Sequence, residues 1–473
     1  MGYIRGDDRG QLELMPMSLD DVVAADNAVR VIDAFVAGLD LMQLGFHHAQ
    51  PAATGRPPYD PADLLKLYLY GYFNRVRSSR GLERESGRNL ELMWLLNRLV
   101  PDFKTIADFR RDNTQALVGV CASFVAFCRE QHLIAGEQVA IDGSKFAAVN
   151  SRDRLLTPQS VARKLERTER RIAQYLASLD EADRAEAGHS ALAPEAVRSA
   201  LDKLKARAEE LRQAQASLAQ SGENQRALTD SDSRLMRKPD GGYTVGYNAQ
   251  LAVDDQHKLI ATVGVSQNAN DQNELRSMGE AAKAAVQTQQ LSVLVDGGYS
   301  NGEQAQRLSE QGVTVSAPNP DRKNHRHKLI PKSEFRYEPN TDSYRCPAGQ
   351  SLSLERSDRS GRRIYSTTAC GACAMKRQCT RATQRHIVRH PYQGALDAMH
   401  ERVAKHPELM RLRAAIVEHP IAGLKRLTDG GRFLLKGIKK VKAELALAAT
   451  AYNLRRVINI LGAPMVLQAL LAS

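Results

Sequence analysis

Apolar positions follow two rhythms along the chain. From Leu19 to Leu41 they recur at helical spacing, at Val22, Val23, Val29, Ile32, Phe35, Val36 and Leu39. Ser18, followed by Asp20 and Asp21, is the expected N-cap of a helix there. After a loop at Pro51–Pro58, the stretch from Tyr59 to about Gln131 predicts helices only. Asp60-Pro61 opens one of them, with Asp as cap and Pro at the first position. It runs through Leu64, Leu65, Leu67, Tyr68, Leu69 and Tyr72. A break at Ser78–Gly81 leads to a second helix, then Asn89–Leu99, then one opening near Thr105–Asp108.

The rhythm then changes. Val139-Ala140-Ile141-Asp142-Gly143 and Leu291-Ser292-Val293-Leu294-Val295-Asp296-Gly297 are apolar runs that end on an acid. Both predict a buried strand with a carboxylate at its exit. Tyr243–Val253 alternates, Leu259–Val265 is a second run, and Val253–Lys258 is the turn between them. A helix is expected from about Asp271 to Thr288, another over Gln304–Glu310, and a strand over Val313–Ala317. Between the first strand and the hairpin lie two heptad seams. One is Val161, Leu165, Thr168, Ile172, Tyr175, Leu179; the other is Val197, Leu201, Leu204, Ala208, Leu211, Leu218. They predict an antiparallel helical hairpin joined by Asp180–Pro194. Phe433–Leu461 predicts a long amphipathic helix or a pair, covering one sheet face.

Composition adds a partner class. The 473 residues suit two to four structural units, and 42% hydrophobic with 25% charged residues is globular. Lys plus Arg number 66 against 54 acids, a surplus of 12. Such a surplus fits a polyanion partner, most often nucleic acid, or a basic protein without that role. Arg75, Arg77, Arg80, Arg84, Arg88 and Arg98 among short helices suit either a DNA-binding module or a solvated basic face. The longest apolar run, Ala116–Cys128, is too short to span a membrane, so no membrane partner is expected. The first residues lack an apolar leader, and six cysteines make no disulfide framework in such a chain. A cytoplasmic protein with reduced thiols is expected.

Two clusters carry candidate chemistry. Asp142 and Asp296 at strand ends, with a later acid, could hold divalent metal between adjacent strands. Glu418 is the best third acid: Arg411, Arg413, Lys425 and Arg426 flank it, as suits a carboxylate on metal with cations for phosphate. Cys346, Cys370, Cys373 and Cys379 contain one C-x2-C pair plus two further thiols, which suits a closed structural Zn2+ site. The surrounding Glu334–Gly361 is too polar to pack a core alone, so a metal staple is expected. Cys121 and Cys128 lie in an apolar helix and are expected to be core.

Taken together, the motifs resemble bacterial insertion-sequence DDE transposases, in the branch with helical and Cys-rich insertions. The resemblance rests on Tyr59-Asp60-Pro61, Lys104–Arg110, Ile141-Asp142-Gly143-Ser144-Lys145, Val295–Tyr299, Val417-Glu418-His419-Pro420 and Ala451–Arg456. It implies an α/β fold: a ribonuclease-H-like core over 133–154 and 223–320, with a helical DNA-binding domain at 1–132. The helical hairpin would occupy 155–222, a basic Cys-rich insertion 321–395, and C-terminal helices with the third acid 396–473. Asp142, Asp296 and Glu418 would be catalytic and bind Mg2+ or Mn2+. Lys425, Arg411, Arg413 and Arg426 would contact DNA. In related families an Arg stands four residues before the Glu. Position 414 is Ala, so that role falls to Arg411 or Arg413. The implied activity is strand cleavage and transfer at terminal inverted repeats, by a homodimer acting on repeat and target DNA. The alternatives are a metal-dependent nuclease without strand transfer and an inactive DNA-binding regulator.

Overall fold

The computed structural model describes residues 17–50, 57–184, 194–238, 240–320 and 329–472. The first residues, most of the Pro51–Pro58 loop, most of the helical connector, the Val197 side chain and the basic run Arg322–Lys328 lie outside these. The chain forms two compact units. One joins residues up to Gln131 with Gly423–Gly430 and Lys442–Ser473; the other joins His132–Ala422 with Gly431–Val441.

The first unit is helical. Its early elements are α1 (Leu19–Val22), α2 (Ala28–Ala37), α3 (Pro61–Phe73), α4 (Ser79–Ser86), α5 (Leu90–Leu95), α6 (Phe103–Asp112) and α7 (Thr114–Glu130). The helix expected over Leu19–Leu41 is two. Ser18 makes a capping box with Asp21 on α1, and the Asn27 side chain accepts the Val29 N–H to start α2 afresh. Asp60 caps α3 with Pro61 in its first turn, as the sequence predicts. That helix buries nearly every side chain, Leu65, Leu67, Tyr68, Leu69 and Tyr72 among them. Cys121 and Cys128 of α7 are buried as expected.

The arginines of this unit divide. Arg77 is only 4% exposed and pairs with Glu444 at 3.2 Å and Asp429 at 2.6 Å, so it belongs to the interior. Arg80 lies over the Phe103 ring, while Arg84 and Arg88 reach Glu85. No single helix among the described residues is long and apolar enough to cross a membrane.

The second unit carries the main sheet. In chain order it has β1 (Gln138–Ala147), β2 (Leu155–Leu156), α8 (Pro158–Arg184), α9 (Pro194–Ser221), β3 (Arg226–Ala227), β4 (Arg234–Arg237), β5 (Tyr243–Asp254), β6 (Ile260–Ser266), α10 (Leu275–Val286), β7 (Leu291–Leu294), α11 (Gly302–Glu310) and β8 (Val313–Ser316). The sheet order is β4-β5-β1-β7-β8, with β6 also on β5. β1 runs antiparallel to β5 from Val139↔Asp254 to Ala147↔Gly246, and parallel to β7 from Gln138↔Ser292 to Ala140↔Leu294. α8 and α9 form the expected hairpin. Leu156, Val161, Leu211, Ala214 and Leu218 make its own small core, and Arg212 reaches Glu169 at 2.7 Å across it.

Two local expectations change. Asp142 does not end its strand: β5 pairs with β1 well past it, to Ala147, so the acid sits mid-strand. The helix expected from Asp271 opens only at Leu275, which leaves Asp271 in the turn before it. The Glu274 side chain accepts from Ser266 and Asn268 instead of capping that helix.

The Cys-rich region is an antiparallel meander of β9 (Arg336–Glu338), β10 (Ser343–Arg345), β11 (Ser351–Ser357), β12 (Arg363–Ser366) and β13 (Ile387–Arg389). Glu334–Gly361 does not pack alone: its Phe335, Tyr344 and Leu352 are buried together with Tyr365 and Ile387 from beyond it. The rings of Tyr337, Tyr344 and Tyr365 meet edge-on or tilted, as their quadrupoles favour. Its last turn before β13 is α12 (Lys376–Cys379). Then come α13 (Gln393–Lys405), α14 (Glu408–Leu427), α15 (Ile438–Leu461) and α16 (Ala463–Ala472). From Lys442 onward α15 belongs to the helical unit, where Glu444 meets Arg77.

Candidate active site

The parallel pairing of β1 with β7 sets the site. Its last pair is Ala140↔Leu294, and Asp142 and Asp296 each follow two residues later. Successive side chains alternate faces along a strand, so Asp142 keeps the face of Ala140. β7 itself ends at Leu294, and Asp296 caps a 3-10 turn at Gly297–Tyr299, accepting the Gly298 N–H at 2.8 Å.

Asp142 is four-fifths buried in its side chain and pairs with Arg413 of α14 at 2.8 Å. Its carboxyl is pushed up to about 6. Burial is the main cause, Arg413 opposes it, and the negative charges of Asp296 and Asp271 add to it. Asp142 and Asp296 are therefore brought together. Glu418 is exposed, five residues along α14 from Arg413. At about 100° per residue it points roughly 140° away from the Arg413 direction. Among the described residues no group of three His, Cys, Asp or Glu side chains is arranged around a single ion position.

Behind Asp142, on the other face of β1, lies a polar layer that the sequence reading missed. Gly143 and Lys145 pair with Gln250 and Asn248 of β5. Asn248 and Gln250 are fully buried, and both donate to Asp271 Oδ1 at 2.6 Å. Lys145 Nζ lies 3.5 Å from the same oxygen. The Tyr299 hydroxyl donates to Gln250 Oε1. Glycine at 143 leaves room for this layer: a Cβ there would fall 2.5 Å from Asp271 Oδ1 and push the polar side-chain ends aside. The signal was present: Asn248 and Gln250 are amides two apart in an otherwise apolar central strand, so they share one buried face.

The four cysteines share a cavity but are not drawn up around one ion position. Cys346, Cys370, Cys373 and Cys379 line one cavity of about 30 Å³. Burial raises the Cys379 thiol, and the other three sulfurs act on it in the same direction. Cys346 Sγ accepts the Gln350 N–H at 3.3 Å across a tight turn, which Gly349 completes at φ +77°.

Comparison with known proteins now decides the family. A model described as Transposase domain (DUF772) matches residues 17–112, and one described as Transposase DDE domain matches 345–458. The chain belongs to the DDE transposases of insertion sequences. The first match spans the helices α1 to α6, and the second runs from the cysteine meander through Glu418 and into α15. No curated protein matches the transposase. A solved structure, the piggyBac transposase synaptic complex with hairpin DNA, matches at 10% identity over 92% of this chain and 82% of that one. Its TM-score of 0.26 is too low for the likeness to bear on this fold.

As a DDE transposase the protein is an enzyme that acts on DNA, and DDE transposases generally use divalent metal ions. Of the four residues expected on DNA, Arg411 and Arg426 are exposed and Lys425 is half-buried. Arg413 instead faces Asp142.

Proposed function

We propose that the transposase cleaves and joins DNA at terminal inverted repeats through Asp142, Asp296 and Glu418, on a ribonuclease-H-like sheet. The observation that carries this is the meeting of Asp142 and Asp296 beyond one parallel strand pair. The order of the five strands β6-β5-β1-β7-β8, antiparallel on one side of β1 and parallel on the other, supports the sheet reading. The domain division at 132, 155–222, 321–395 and 396 follows the same reading.

The residues fit Mg2+ or Mn2+. Carboxylates crowded until one resists ionisation favour a hard cation with oxygen ligands. Bound there, divalent metal would activate the attacking oxygen and stabilise the leaving 3′-oxygen of an in-line displacement. Asp142 must release its proton before it can ligate. Arg413 favours that release and orients the carboxylate. Glu418 is the candidate third carboxylate: it lies on the same helix as Arg413, exposed and turned away from Asp142, so α14 would have to turn or shift to bring it to the metal. Arg411, Lys425 and Arg426 offer cations to phosphates. The four thiols suit one Zn2+ that closes the meander, with the Gln350 N–H supporting the Cys346 sulfur. The active species is a homodimer that brings two element ends together.

The test is a strand-transfer assay with Mg2+, terminal-repeat DNA and a target plasmid. Joined products support the proposal. Cleavage without joining makes the protein a nuclease, and binding without cleavage makes it a regulator.

A further inference from the structure

The buried polar layer behind Asp142 has no role in the reading above. Its members connect in one line. Asp271 Oδ1 accepts from Gln250 Nε2, and Gln250 Oε1 accepts from the Tyr299 hydroxyl. Tyr299 closes the 3-10 turn that Asp296 opens. Gln250 pairs across the sheet with Gly143, the neighbour of Asp142. The line thus runs from the Asp296 turn to the back of the strand that holds Asp142.

We propose that Asp271, Gln250 and Tyr299 are positioning residues, a buried strut that fixes Asp296 relative to Asp142. This rests on the reading of those two acids as metal ligands.

The geometry separates a strut from a further metal ligand. Alternation along β1 places Gly143 and Lys145 on the face opposite Asp142. Asp271 lies on that rear face, held through the space that the missing Gly143 side chain leaves. Its Oδ1 is already occupied by two amides, with the Lys145 ammonium beside it to offset its charge. Gln250 is fixed at both ends of its amide, so it cannot turn without breaking a bond to Asp271 or to Tyr299. Tyr299 is fully buried, so its ring leaves no slack to the turn. Asn248 uses its amide nitrogen on Asp271, while its buried Oδ1 has no hydrogen-bond partner among the described residues. That oxygen lies 2.9 Å from where a Gly143 Cβ would be. A second acceptor thus sits beside the backbone of the metal-binding strand, in line with a layer that orients ligands from behind. Outer partners of this kind typically change metal affinity by about 10–100-fold when lost.

The test uses the full chain and Mn2+ binding followed by electron paramagnetic resonance, with repeat-DNA cleavage measured beside it. Asp271→Asn keeps an oxygen that accepts from both amides. It is expected to hold Mn2+ within about threefold of the wild-type chain. Asp271→Ala and Tyr299→Phe break the strut and should weaken Mn2+ by about tenfold or more. Their circular dichroism should stay native, and cleavage should recover in part at high Mn2+. If Asp271→Ala does not fold, Tyr299→Phe decides alone, since it removes one oxygen. Loss of Mn2+ binding in Asp271→Asn as complete as in Asp142→Asn would make Asp271 a ligand and overturn the strut. Wild-type affinity in Tyr299→Phe would overturn it too. If Asp142→Asn and Asp296→Asn themselves keep Mn2+ and cleavage, the ligand reading has failed, which is a distinguishable result.

Discussion

Asp142 and Asp296 stand at one height on neighbouring strand paths: Ala140 pairs with Leu294, and each acid lies two residues further on. Two residues of strand are roughly 7 Å, so both carboxylates clear the parallel pair together. Asp142→Asn keeps the shape and removes a ligand charge. Cleavage should fall below detection, while repeat-DNA binding by fluorescence anisotropy in Ca2+ should change by less than about 0.5 kcal/mol. A variant that still cuts would show that Asp142 is not needed.

Asp142 also gives a pH signature. Its carboxyl rises from 3.8 to about 6 in the fold, chiefly through burial. Below about pH 4 it is protonated folded or unfolded, and its contribution is fully present. As pH rises through 6, the native state must give up a proton that it holds more tightly than the unfolded chain does. Stability contributed by this group is then lost, on the order of 2 kcal/mol. In EDTA, urea melts at pH 4.5 and 7.5 should show this loss in the wild-type chain. The Asp142→Asn variant should show a smaller one. Equal losses in both would contradict the assignment.

Arg413 is the cation that opposes that rise. Arg413→Ala should raise the Asp142 carboxyl further. The pH midpoint of Mn2+ binding should then move upward by about one unit, equivalent to about tenfold at a fixed pH below both midpoints and only about twofold near neutrality. Arg413→Lys should move it less, because the charge remains. A downward move would mean that Arg413 acts on Asp142 in some other way.

The cysteine cavity predicts a metal count. Purified protein should carry about one zinc per chain by mass spectrometry. Cys373→Ser should lose it, and the Tyr337–Tyr344–Tyr365 packing should loosen, visible as a change in near-ultraviolet circular dichroism. Mg2+-dependent cleavage should outlast zinc removal longer than it outlasts loss of Asp142. Zinc-free protein with native spectra would remove the staple and leave the acids untouched.

Charge predicts the salt response. Repeat-DNA affinity should fall linearly with log salt, and Arg411→Ala, Lys425→Ala and Arg426→Ala should each reduce the slope by about one if each holds a phosphate. Arg77→Ala should leave the slope alone and instead destabilise the helical unit by about 3–5 kcal/mol, because it takes a paired cation from the buried Glu444. An Arg77 effect on the salt slope would place it at the DNA after all.

The local chemistry of the chain determined much of this protein. The Asp60-Pro61 start of α3, the β5–β6 hairpin, the α8–α9 seams and the two Asp-Gly strands follow from caps, periodicity and turns, which act over a few residues. Pairing decided the rest. Whether Asp142 ends its strand depends on how far β5 runs beside it, and that is a property of two segments about a hundred residues apart in sequence. Arg77 reads as a surface cation until Glu444 is folded against it. Arg413 rather than Arg411 faces Asp142 because of how α14 is turned about its axis. Asp271 looked like the start of a helix, and only the amides of Asn248 and Gln250, reaching it across the gap at Gly143, turned it into part of the site. Short-range preferences fix which elements form, but a buried polar side chain takes its role from the partner that desolvation obliges it to find, and that partner is set by the tertiary fold.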